Sequence, residues 1–114
     1  MEQKDQQSEF IDNLTSEECG ILSKTLDELG KKGVYNVNIL GVIMPIWKTL
    51  KLRHESNKNE PIITAVEYVN IVNCITTSIP KGVYSLEEIS KFYSIIEKMR
   101  EYTKKFPNLF TQQS

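Results

Sequence analysis

Lys81-Gly82-Val83-Tyr84-Ser85-Leu86-Glu87-Glu88 decides how this chain of 114 residues is read. Ser85 followed three residues later by Glu88 is a capping box. The hydroxyl accepts the free N–H of the third helical residue, and the carboxylate reaches back to the cap's own N–H. Tyr84 and Ile89 stand where a hydrophobic staple would close over that start. Gly82 supplies the turn that brings the chain there. Leu86, Ile89, Phe92, Tyr93, Ile96 and Met99 then recur at helical spacing, so the stretch opens an amphipathic helix.

The first four residues of this stretch occur once before, as Lys32-Gly33-Val34-Tyr35. A shift of 49 lays residues 15–50 on 64–99 without a gap, with seven identities in 36 positions. They fall on equivalent devices. Thr15 and Glu18, a capping box, lie on Thr64 and Glu67, a second one. The tetrad lies on the tetrad, and Ile46 on Ile95. Asn36, a good N-cap, lies on Ser85. Each unit reads as a helix, a glycine turn, a tyrosine over the next helix's first turn, and that helix. Short connections make such helices antiparallel neighbours.

The fold class is therefore all-α, with four main helices near 15–29, 36–52, 64–78 and 85–104. They are expected to form two pseudo-repeated antiparallel hairpins in a small bundle. Leu22, Leu26 and Leu29 make the first helix's face, and Gly30 is expected to end that helix. Ala65, Tyr68, Val69, Val72, Ile75 and Ile79 make the third. Residues 1–13 are polar and acidic and read as a flexible arm, with Phe10 and Ile11 as its only anchors. Residues 14–106 are the single helical domain, with repeat units 15–50 and 64–99, and 107–114 is a tail. Arg53 to Pro61 reads as a polar loop.

The second helix is the exception to amphipathic order. Val37, Leu40, Met44, Trp47 and Leu50 form one stripe, while Ile39, Val42, Ile43 and Ile46 fill much of the opposite side. A helix apolar nearly all round is central in a core or covered by a second subunit. Pro45 removes one of its hydrogen bonds and crowds the Gly41 carbonyl, so a kink, or a regular part restarting near Met44, is expected.

Composition narrows the function. Net charge is −1, which offers no overall attraction to nucleic acid or anionic membrane. Charge is uneven, however. Residues 1–30 hold two basic against eight acidic side chains, and residues 31–58 hold six basic against one acidic. The plain reading is a negative segment lying beside a positive one. Cys19 and Cys74 lie in apolar stripes and read as reduced, buried thiols, consistent with a cytoplasmic location. The apolar run from Val37 to Leu50 is too short to span a bilayer.

Signatures of chemistry are absent from the sequence: no phosphate loop, nucleophile elbow or dinucleotide glycine run is present. One histidine and two distant cysteines do not make a zinc site. Glu17/Glu18 and Glu87/Glu88 open helices, where the helix N-terminus and the capping bonds account for them. A helix-turn-helix reader is disfavoured as well. One candidate recognition helix is too apolar to face a groove, and the other places two carboxylates where phosphates would lie.

The turn at 81–88, written Lys-Gly-(Val/Ala)-(Tyr/Phe)-(Ser/Thr)-Leu-Glu-Glu, resembles a pattern of small helical proteins of bacteriophages and large DNA viruses. The resemblance covers residues 81–99 and brings no activity and no site residues. It implies a small viral or phage accessory protein, which would act in the host cytoplasm.

The expected function is a non-catalytic helical interaction protein, without cofactor or metal, that partners itself or another protein. Its expected surface is Ile39, Val42, Ile43, Ile46 and Trp47. The alternative is a module that sequesters a small anion or nucleotide. Trp47 would stack in it, and Lys48, Lys51, Arg53 and His54 would supply the positive charge.

Overall fold

A computed structural model describes residues 10–58 and 60–106; the tail expected over 107–114 and most of the acidic arm lie outside the described residues. The order of elements is α1 (Ser16–Lys31), α2 (Val37–Ser56), α3 (Ala65–Ser78), a 3-10 turn (Ile79–Lys81) and α4 (Leu86–Thr103). Among the described residues there is no strand, so the all-α class holds. No helix is long and apolar enough to cross a membrane among those residues.

All four α-helices begin at the expected caps. Thr15, Thr64 and Ser85 accept from the backbone N–H of Glu18, Glu67 and Glu88 at 3.1, 3.2 and 3.1 Å. Each glutamate in return accepts from its cap's N–H at 3.0, 3.0 and 2.9 Å. Asn36 caps α2 by accepting from Ile39 N–H at 2.9 Å. These bonds satisfy donors that the helix itself leaves open, each cap contributing about 1 kcal/mol.

The two tetrads adopt the same turn. Gly33 and Gly82 both have φ of 72°, with open space where a Cβ would lie, so backbone conformation alone demands glycine there. Gly33 N–H donates to the Gly30 carbonyl and Gly82 N–H to that of Ile79, both at 3.1 Å. The tyrosines that follow anchor to equivalent carbonyls by different routes. Tyr35 donates directly to the Leu26 carbonyl at 2.8 Å. Tyr84 reaches the Ile75 carbonyl through Ser78, whose hydroxyl lies 2.9 Å from it and donates onward at 2.6 Å.

The core lies among all four helices. Leu22, Leu26 and Leu29 of α1 meet Ile46 and Leu50 of α2, Tyr68, Ile71 and Ile75 of α3, and Phe92, Ile96 and Met99 of α4. Each such side chain contributes about 1.5–3 kcal/mol by leaving water. The helices are not equally close. α1 and α2 lie against each other along much of their length, whereas α3 and α4 approach more sparsely.

Two helix ends differ from expectation. Gly30 does not end α1. It stays helical in the last turn, where a Cβ would meet the Tyr35 ring at 3.5 Å, and the turn waits for Gly33. α2 runs as one element through Pro45 and on to Ser56, so the region read as a loop from Arg53 is helical at its start. Asn57, left-handed at φ 57°, ends it.

The largest correction concerns the arm. Phe10 is buried among the rings of Tyr68, Tyr102 and Phe106, at centroid distances of 5.2, 5.9 and 5.2 Å. Asn13 accepts from the Tyr68 hydroxyl at 2.6 Å, and the Ile11 carbonyl from that of Tyr102 at 2.6 Å. Residues 10–13 therefore belong to the folded domain.

Candidate functional site on the second helix

From Gly33 through Trp47 the chain carries no charged residue. The core-facing line of α2 is Ile39, Ile43, Ile46, Leu50 and Arg53, spaced four, three, four and three. All are buried except Ile39, which is 40% exposed. Ile39 has the right phase but lies in the helix's first turn, where it borders the α2–α3 groove. Val37, Leu40, Val42 and Met44 are also exposed, so the N-terminal half of α2 is a ridge of apolar side chains facing solvent.

A hollow flanks the ridge on each side. Towards α1, about 300 Å³ is lined by Leu26, Gly30, Tyr35, Leu40, Met44 and Trp47 among others. Towards α3, about 410 Å³ is lined by Ile39, Val42, Asn70, Asn73, Cys74 and Lys81 among others. Tyr35 contributes to both. Its phenol is pushed upward in pKa by burial first and then by neighbouring Cys74. Cys74 is itself raised by burial, which outweighs the lowering by its hydrogen bond with Tyr35 and by nearby Lys81.

The residues expected to form the interaction surface divide accordingly. Ile39 and Val42 are exposed on the α3-facing side, and Trp47 is half-buried further along the helix. Ile43 and Ile46 are not surface residues; they are 4% and 2% exposed and belong to the core. Sequence periodicity could not separate them from Ile39, because all three share a phase. Val37, Leu40 and Met44, assigned to the first stripe, are exposed as well.

The residues expected to bind an anion are dispersed. Lys51 Nζ lies 5.0 Å from the Trp47 ring centroid, a cation–π contact beside exposed Lys48. Arg53 is 1% exposed and points inward. One of its guanidinium nitrogens donates to both Asp12 carboxylate oxygens at 2.8 Å, and the other to the Leu14 carbonyl at 2.8 Å. Its Nε is buried without a hydrogen-bond partner among the described residues. His54 lies on another side of α2, its Nδ1 3.0 Å from the Ser16 carbonyl and its ring filling the space beside Gly20. Arg53 is thus occupied as an internal counter-ion, which corrects its assignment to an anion site.

A different basic residue does meet a carboxylate. Lys32 donates to the Val83 carbonyl and to Glu88 Oε1 and Oε2 at 3.2 and 3.3 Å, and sits 5.3 Å from the Tyr84 ring centroid. The first tetrad's lysine is therefore seated on the second tetrad. Sequence alone offered no signal for this contact beyond the shared motif. No family model, curated protein or solved structure matches the chain.

Proposed function

We propose that the chain is a non-catalytic interaction protein that associates with a second copy of itself through the N-terminal half of α2. One observation carries this reading. Val37, Leu40 and Met44 are exposed on one side of a helix half that holds no charged side chain. Contiguous exposed apolar surface of that kind marks contact sites.

The choice of a second copy over an unrelated partner rests on charge. A two-fold axis brings the same patch against itself, so any charge on it would meet its own kind. This ridge is neutral, and two copies of α2 crossing there meet no like-charge penalty. The hollow towards α1, lined by Leu40, Met44 and Trp47, gives each ridge a groove to enter, as helix packing requires. The same geometry favours association over anion sequestration, since Asp12 occupies Arg53.

The recurrence of the tetrads further supports reading the two helix pairs as copies of one hairpin unit. On that reading the second helix of the first copy diverged into an associating surface. Sedimentation velocity on the intact chain, beside Leu40→Glu and Met44→Glu, tests the proposal. A dimer reduced to monomer in both variants, with helical content unchanged, is the expected result. A wild-type monomer would exclude it.

A further inference from the structure

The 49-residue register pairs Lys32 with Lys81 and Glu88 with Ile39. Lys32 sits on the opposite tetrad, bonded to the Val83 carbonyl and to Glu88. Lys81 faces the corresponding place: it lines the α2–α3 groove together with Val34 and Ile39. Where Lys32 finds a carboxylate, Lys81 finds an isoleucine. Its side chain is exposed and has no hydrogen-bond or ion-pair partner among the described residues.

We infer that the α2–α3 groove is a binding site for a small amphipathic carboxylate, with Lys81 as its counter-ion. Four observations define the ligand. Among the described residues Lys81 is the only charged one lining the groove, so an anionic head is favoured there and a cationic one opposed. Ile39, Val42 and Ile43 give an apolar wall, which calls for a hydrocarbon or aromatic body. Asn38, Asn70 and Asn73 supply amide donors for the head's remaining oxygen lone pairs. The volume of about 410 Å³ lies within the range of small-molecule sites and admits a chain of about eight carbons.

The internal Lys32–Glu88 pair serves as the template for the contact that Lys81 lacks. The groove shares the α2 half proposed for self-association, but Lys81 lies off that helix, so Lys81→Met tests the groove without altering the proposed contact surface.

Two-dimensional amide NMR of the full chain, titrated with octanoate and with octanol, tests it. Octanoate is expected to bind about threefold to fivefold more tightly, the strength of a partly solvated ion pair. The shifts should centre on Asn38, Asn73 and Cys74. Lys81→Met should erase the preference and leave octanol binding unchanged. Ile39→Glu, which restores the acid present at position 88, should pair with Lys81 internally and abolish octanoate binding. Equal affinity for the two ligands, absence of binding by both, or a preference that survives in Lys81→Met would each overturn the assignment.

Discussion

Asp12 and Arg53, 41 residues apart in sequence, form a buried ion pair in which one guanidinium nitrogen holds both carboxylate oxygens at 2.8 Å. The side chains are 3% and 1% exposed. Asp12 also accepts from the backbone N–H of Ile63 at 3.0 Å and of Leu14 at 3.2 Å. A single carboxylate thus ties the N-terminal segment to the end of α2 and the start of α3.

Removing one member of this pair leaves a buried charge without a partner. Asp12→Ala is expected to cost about 3–5 kcal/mol, because it also strands two backbone donors. Urea unfolding at neutral pH reads this as a fall in midpoint with the slope unchanged. A loss below about 1 kcal/mol would place the pair in the class of solvent-exposed bridges instead.

The glycines separate by backbone conformation. Gly33→Ala and Gly82→Ala force a Cβ into the left-handed region and should each cost about 1–2 kcal/mol. Gly41 is helical and exposed with nothing within 4 Å of a Cβ. Gly41→Ala should therefore stabilise the isolated fold by about 0.5–1 kcal/mol. Thermal melts of the three variants would show opposite signs.

Acid pH should loosen two helix starts. Burial alone would raise Glu18, but its bonds to Lys98 and to the Thr15 cap outweigh that and hold it below the ordinary 4.5. Glu88 is lowered by the Ser85 backbone N–H and by Lys32. Carboxylates depressed in the folded state stabilise it above their unfolded pKa, and that contribution disappears as pH falls through the folded value. Stability should thus decline as pH drops below 4.5, the ordinary value for both groups. Side-chain NMR titration should show Lys98→Met raising the Glu18 pKa and Lys32→Met raising that of Glu88, each variant leaving the other glutamate unmoved.

The two thiols should differ in reactivity. Cys19 is completely buried, and burial pushes its thiol up to about 11. Cys74 is raised too, but it is half-buried and lines the α2–α3 groove. A maleimide reagent at neutral pH should label Cys74 slowly and Cys19 only after unfolding, since the thiolate is the reacting form. Peptide mapping of labelled protein would show the order, and equal labelling of both in native protein would contradict it.

What the sequence disclosed follows the reach of each interaction. Capping boxes act over three residues, so Thr15, Thr64 and Ser85 could be read directly. The surplus of apolar residues on α2 was visible for the same reason. Partners far apart in sequence were not. Arg53 looked like a surface cation because Asp12 lies 41 residues earlier, in a segment whose composition suggested an arm. Ile39 and Ile43 share a helical phase, and only the placement of α3 and α4 decides that one is exposed and the other core. Gly30 reads as the helix stop, but the left-handed turn falls at Gly33, three residues later.

The central claim is that the uncharged half of α2 is an interface between two copies. Its most direct test is the sedimentation velocity of the intact chain at tens of micromolar, beside Met44→Glu. The account predicts a dimer for the wild type and a folded monomer for the variant. A monodisperse wild-type monomer, or a dimer that persists in Met44→Glu, would contradict it.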